Sequence, residues 1–231
     1  MSQSHRIDKL YIINMAKSTD RREKMVQQLH DANIENYEFF NGIEPTLAEL
    51  NNYPNFSLNR PSQIRLGQLG CLLSHIEIMK HALSQQYKNI MILEDDACIL
   101  DNQFLKKTET YMETLQNMGG FDVLYLGANH KKPSLTRMTT EIYKVVTSNC
   151  TFSYVISESF MKELVKDYSY KFPFDVHWKK FDKSRVYKNK FYCIIPHLIN
   201  VYDLVSTINN NQTNYATIIK NSQHILTRNF T

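Results

Sequence analysis

Glu94, Asp95 and Asp96 stand in a row directly after four apolar residues, Ile90 to Leu93. A continuous apolar run bounded by polar residues suits a strand buried on both faces. Its end is where an open α/β sheet places its ligand crevice. Three carboxylates held there repel one another unless a cation sits among them. Hard oxygen ligands on a rigid strand end suit Mg2+ or Mn2+, shared with the phosphates of a substrate. Glu94 and Asp96 are two residues apart, so an extended backbone points both to one side and Asp95 to the other. Glu94 and Asp96 are therefore the expected metal pair, with Asp96 the better ligand. Asp95 is free to meet a ribose, a basic side chain or a structural ion pair. In isolation, an acidic turn in solvent would carry the same three letters.

Elements on both sides must hold this triplet. Lys9 to Met15 reads as a first buried strand, followed by a helix from Arg21 to about Ala32 that Ser18 and Asp20 can cap, with Met25, Val26 and Leu29 inward. Tyr37 to Phe40 is a short second strand, and residues 44–65 are a polar, Pro-broken loop with one helical turn near Leu47. Gln68 to Gln86 is the strongest helix, with Leu69, Leu72, Leu73, Ile76, Met79 and Leu83 at 3-and-4 spacing and Gly67 just ahead of its start. After the acid-tipped strand come a helix over 103–116, a strand over 121–126, a strand pair within 143–157, a helix over 158–167 and a late strand over 191–195. Alternating strands and helices predict an α/β domain with a mostly parallel central sheet flanked by helices, spanning residues 1–208. Residues 209–231 are polar and Asn-rich and read as a poorly packed tail.

Bulk composition narrows the partners. The net charge of +4 comes from 27 basic against 23 acidic residues, too mild to argue for nucleic acid. The four cysteines form no C-x-x-C pair and lie in or beside apolar stretches, the pattern of free thiols in a reducing compartment. No apolar run approaches the ~20 residues needed to span a bilayer, and the polar start M-S-Q-S-H-R-I-D is not a signal peptide. These features give the expectation of a cytoplasmic protein without a transmembrane segment.

Six marks follow in order: Y-I-I-N-M-A-K-S-T-D-R-R at 11–22, R-L-G-Q-L-G-C-L-L-S-H at 65–75, I-L-E-D-D-A at 92–97, F-D-V-L-Y-L-G at 121–127, Y-V-I-S at 154–157 and F-P-F-D at 172–175. Together they resemble glycosyltransferase family 25, the lipooligosaccharide and collagen hydroxylysine β-galactosyltransferases, over roughly residues 8–205. The pairing of G-x-x-G-C-x-x-S-H with L-E-D-D about twenty residues later carries most of the specificity. The resemblance implies a type-A glycosyltransferase fold (Rossmann-like), a UDP-sugar donor, Mn2+ or Mg2+, and inversion at the anomeric carbon. It implies a glycan or glycoprotein (hydroxylysine-type) acceptor. On that basis Asn14, at the end of the first strand, lies near the nucleoside, and Arg21 or Arg22 reaches uracil or phosphate while the other stays on the surface. Ser74 and His75 face the donor pocket, and Gly67 and Gly70 allow close approach. Asp175, the acid of the P-x-D match, takes the acceptor proton. Trp178 is a stacking residue or core, and His177 and His197 are candidate late metal ligands. A metal-dependent phosphoester hydrolase, or a sugar-nucleotide-binding module without turnover, are the competing classes.

Overall fold

The computed structural model describes residues 6–133, 136–145, 148–167, 170–177, 190–202 and 214–228. Its frame is an eight-stranded sheet. In chain order the strands of that sheet are β1 (Lys9–Asn14), β2 (Tyr37–Asn41), β3 (Asn89–Glu94), β5 (Val123–Tyr125), β7 (Thr136–Arg137), β8 (Ile142–Lys144), β10 (Ser153–Ser157) and β11 (Phe191–Ile194). Their spatial order is β2-β1-β3-β10-β5-β11-β8-β7. β1 runs parallel to β2 and β3, and β11 parallel to β5, while β10 and β8 run against their neighbours. Six strands therefore share one direction, which bears out the mostly parallel sheet. β4 (Ala97–Ile99) pairs with β12 (Ile199–Val201), and β6 (Asn129–His130) with β9 (Ser148–Asn149), as two small antiparallel ribbons.

The continuous apolar run of β3 is explained by cover on both faces. Ile90 and Ile92 pack into a cluster with Leu69, Leu72, Ile76 and Met79 of α3 (Ser62–Ser84) and Phe160, Met161 and Leu164 of α5 (Glu158–Asp167). Met91 and Leu93 pack oppositely, with Met25 and Leu29 of α1 (Thr19–Asp31) and Phe104, Met112 and Leu115 of α4 (Phe104–Asn117). Period-2 alternation thus divides one strand between two cores. The short α2 (Leu47–Leu50) is closed by a capping box between Thr46 and Glu49.

Several expectations change. Val26 is exposed at 39%, so only Met25 and Leu29 of the expected trio face inward. Ser18 occupies the N-cap of α1 but makes no side-chain cap bond. α3 begins six residues before Gln68, at Ser62, so Gly67 lies inside the helix rather than ahead of it. The Cβ of an alanine at Gly70 would stand 2.3 Å from the Ile43 carbonyl oxygen, which is the close approach expected of that glycine. The strands within 143–157 do not pair with each other: β8 joins β11, β9 joins β6, and β10 inserts between β3 and β5.

The largest correction concerns the C-terminal segment. Tyr215–Thr227 forms a helix, α6, whose N-cap Asn214 side chain accepts from the Thr217 amide. Ile219, Ser222 and Leu226 are buried against the rest of the domain. Their i, i+3, i+7 spacing is a buried stripe that the Asn-rich composition of residues 209–214 disguised. A loose tail would tolerate truncation of Leu226. Packed as it is, Leu226→Ala is expected to cost ~2–4 kcal/mol. The exposed Lys220→Ala should stay within ~0.5 kcal/mol. Urea unfolding of the two variants beside the unaltered chain checks this.

Candidate active site

β1 connects outward through α1 to β2, whereas α3 leads to β3 on the other side of β1. The sheet order therefore reverses between β1 and β3, and the crevice opens beyond their C-terminal ends. Asn14 ends β1, Glu94 ends β3, and Asp95 and Asp96 make the turn into β4. Pairing of β4 with β12 and a bond from the Tyr202 amide to the Asp96 carbonyl (2.9 Å) fix that turn.

The three acids have different surroundings. Asp95 is clamped: Arg21 donates to Oδ1 at 3.0 Å and Asn14 Nδ2 to Oδ2 at 2.9 Å. Asn14 Nδ2 also reaches the Ser18 carbonyl at 3.1 Å, joining the end of β1 to the start of α1. Asn14 thus holds Asp95 from behind and does not line the cavity, whereas Arg21 and Asp95 do. Of the sequence alternatives for Asp95, the basic partner is the one realised. Arg22 lies 3.8 Å over the Phe39 ring and so takes the surface role.

Glu94 and Asp96 carry the remaining charge. Asp96 Oδ1 is buried and, among the described residues, has no hydrogen-bond partner. Burial, then the charges of Glu94 and Asp95, push its carboxyl up from the ordinary range to about 7, with Arg21 opposing. An orphaned carboxylate oxygen beside two more acids fits a divalent cation, with Asp96 and Glu94 as its protein ligands. The turn at Asp95 and Asp96 replaces the expected extended segment, yet Glu94 and Asp96 still point together.

Behind Glu94 sits a rigid wall. His75 is fully buried, with Nδ1 2.8 Å from the Tyr154 hydroxyl, Nε2 3.4 Å from Glu94 Oε1, and its ring stacked on Phe174 at 4.5 Å. Ser74 Oγ donates to the Gly70 carbonyl at 2.7 Å and accepts from the Ile43 amide at 2.9 Å. Its hydroxyl is spent on pinning the 42–45 loop to α3. Both residues line the cavity, as expected, but as wall and brace. Cys71 lies close by, and burial followed by the charge of Glu94 raises its thiol well above the usual range, so it stays protonated.

Two cavities meet at the acids. The first, about 460 Å3, is lined by Lys17, Arg21, Glu44, Gln63, Gly67 and Ser74, among others, together with Glu94, Asp95 and Asp96. The second, about 280 Å3, is lined by Asp175 with Glu94, Asp96, Thr151, Tyr202 and Tyr215 among its walls. Glu94, Asp96 and Cys71 belong to both. Asp175, on a helical turn at 174–177, is therefore brought to Glu94 and Asp96 from across the chain. His177 is buried on the same turn and, among the described residues, joins no ligand cluster. His197 lies with His130 and Cys193 instead of with Asp96. Trp178 falls outside the described residues. Lys17, Glu44 and Thr151 went unread in the sequence; single polar residues on loops carry no periodic signal. No helix among the described residues is long and apolar enough to cross a membrane.

The site thus joins an acid-tipped switch point to two adjoining cavities. The sequence profile of glycosyltransferase family 25 (LPS biosynthesis protein) matches residues 7–178, and the chain belongs to that family. A procollagen lysyl hydroxylase and glycosyltransferase of Acanthamoeba polyphaga mimivirus is 28% identical over 180 residues, covering 69% of this chain and 19% of the viral protein. Human procollagen galactosyltransferase 2 is 25% identical over 177 residues, covering 68% of this chain and 27% of its own length. A putative glycosyltransferase of Haemophilus influenzae is 28% identical over 168 residues, covering 68% and 57%. The chain thus matches less than a third of the length of the first two.

The raised Asp96 carboxyl has a consequence for the metal-free protein. Between pH ~4 and ~7 the folded chain keeps a proton that the unfolded chain has released. That contribution to stability is present at low pH and is lost as pH rises through about 7. Asp96→Asn is expected to flatten this part of the pH–stability profile and to be the more stable protein at pH 7, measured by urea unfolding in chelator across pH 4–8. An unchanged slope would place the Asp96 carboxyl in an ordinary environment.

Proposed function

We propose that this chain is an inverting glycosyltransferase that moves a hexose, galactose being the first candidate, from a UDP-sugar to a hydroxyl of a glycan or hydroxylysine-type acceptor. The observation that carries this reading is the shared wall of the two cavities, with Glu94 and Asp96 facing both and Asp175 facing only the second. Family membership and relatives named as procollagen galactosyltransferase and glycosyltransferase support the same class.

Each residue then has a task. The first cavity takes the nucleotide sugar, with Lys17 and Arg21 in its lining, each paired with an acid, Glu44 and Asp95. Asp96 and Glu94 would hold Mn2+ or Mg2+, whose charge stabilises the departing diphosphate. Arg21 and Asn14 keep Asp95 fixed, so the turn presents Asp96 at a constant position. His75, locked by Tyr154 and Phe174, keeps the Glu94 side chain from folding back. The acceptor hydroxyl enters from the second cavity and gives its proton to Asp175 as it attacks the anomeric carbon. Attack from the side opposite the first cavity is the geometry of inversion. Four cysteines free of disulfides suit a reducing compartment, and the cytoplasm is the compartment we assign.

The test is UDP release from a panel of UDP-hexoses with Mn2+, each with a glycan and a hydroxylysine peptide as acceptor. Turnover should require the metal and stop with EDTA. Asp96→Asn should lower turnover on the order of 10²-fold or more and weaken UDP–Mn2+ binding in calorimetry. Asp175→Asn should lower kcat comparably while leaving UDP–Mn2+ binding intact. A variant of Asp175 that loses donor binding as much as turnover would make it a donor or metal ligand. Release of UDP or phosphate without any acceptor, at the rate seen with one, would favour hydrolysis instead.

A further inference from the structure

A second group of ligand-type side chains lies apart from the acids. His130 on β6, Cys193 on β11 and His197 just beyond β11 converge, with His130 Nε2, Cys193 Sγ and His197 Nε2 all within 4.8 Å of one another. His130 Nε2 is 3.0 Å from His197 Nε2 and 3.1 Å from Cys193 Sγ. All three are at least nine-tenths buried, at 0%, 0% and 4% exposure. Two imidazoles and a thiol facing one point in a dry interior are an uncommon expenditure of polar groups.

Protons serve this trio poorly. His130 Nε2 faces two partners with one lone pair or one hydrogen to offer, and the alternative acceptor for the Cys193 thiol, the Ile194 carbonyl, is a long 3.4 Å away. The other ring nitrogen of His130 is already fixed, with Nδ1 2.7 Å from Ser148 Oγ. That contact sets the ring so that Nε2 looks at the sulfur and at His197, the outer-shell support found behind metal-bound imidazoles. The backbone is tied as well: the His130 amide donates to Ser222 Oγ (3.1 Å) and the His197 amide to Gln223 Oε1 (2.9 Å), both on α6.

We propose that His130, Cys193 and His197 form a buried structural metal site, taking zinc or a similarly thiophilic ion, that fastens α6 to the sheet. Two imidazoles and one thiolate are the donors such ions select, whereas Mn2+ and Mg2+ favour the oxygen set at Glu94 and Asp96. Zinc ligands at ~2.0 Å (nitrogen) and ~2.3 Å (sulfur) stand roughly 3.3–3.7 Å apart in a tetrahedron, so His130 Nε2 needs to stand off from its two neighbours by only a few tenths of an ångström. The fourth position is left to a water molecule. Burial keeps both imidazoles neutral and so leaves their lone pairs available, while it holds the Cys193 thiol protonated in the metal-free protein. Zinc entry therefore displaces the Cys193 proton to solvent as the Zn–S bond forms, and the site should weaken as pH falls. The site is independent of sugar transfer, although α6 contributes Tyr215 and Ile219 to the second cavity.

The experiment uses the full chain produced without a polyhistidine tag in zinc-supplemented medium. Elemental analysis after exhaustive dialysis should find about one zinc per chain, and X-ray absorption at the zinc edge should show nitrogen and one sulfur in the first shell. Replacement by Co2+ should give a near-ultraviolet thiolate charge-transfer band. The band should vanish in Cys193→Ser and persist in Cys71→Ser, which separates this site from the Cys71–His75–Glu94 group. Asp96→Asn should keep its zinc. Substoichiometric metal with no cobalt band, a first shell of oxygen alone, or a band that depends on Cys71 would each overturn the proposal. The absorption measurement needs no variant, so a Cys193→Ser chain that fails to fold leaves the test intact.

Discussion

The end of β3 concentrates three negative charges on consecutive residues, and the surrounding structure is organised around separating them. Among the described residues, Asp95 receives the strongest compensation, two bonds from Arg21 and Asn14. That pairing draws Asp95 to the α1 side and leaves Glu94 and Asp96 together on the other. Burial and the charges of Glu94 and Asp95 raise the Asp96 carboxyl to about 7 against the opposing pull of Arg21. Placing a cation there exchanges an electrostatic cost for a binding site.

The neighbouring elements serve this arrangement. β1 and β3 run parallel with register Ile13 opposite Glu94, which puts Asn14 within reach of the turn. α3 brings His75 behind Glu94 and, through Ser74 and the absent side chain at Gly70, pulls the 42–45 loop against its flank. β12 pairs with β4 and holds the far side of the turn. The small ribbons and α6 lie outside the main sheet and close the second cavity with Val201, Tyr202, Tyr215 and Ile219. Two cavities that share the acids, not one deep cavity, leave Glu94 and Asp96 open from two sides.

Buried polar groups follow a consistent division of labour. Near the acids they brace: Ser74 by backbone bonds, His75 by a tyrosine hydroxyl and a stacked phenylalanine. At β11, three strands from β3 in the sheet order, His130, Cys193 and His197 face one another with serine and glutamine behind them. Each cluster joins elements far apart in sequence, so each constrains the fold as well as any chemistry it supports.

The sequence by itself determined the α/β class, the main helices and strands, and the acidic triplet as the place where charge concentrates, because these depend on local periodicity and on residues adjacent in the chain. It also singled out Asp175 and His75 through their motifs, although not what they would touch. Tertiary structure decided the rest. Whether Arg21 or Arg22 faces the acids depends on where α1 sits over the sheet, and only Arg21 is turned toward Asp95. That Asn14 supports Asp95 from behind follows from the β1–β3 register, not from any feature of Y-I-I-N. His197 looked like a partner for the acids, but β11 delivers it to His130 and Cys193, 67 and 4 residues away. α6 was hidden because three buried residues in a polar segment are a weak pattern until a surface exists for them to cover. Long-range contacts of this kind are set by packing between elements, and a linear pattern carries no term for them.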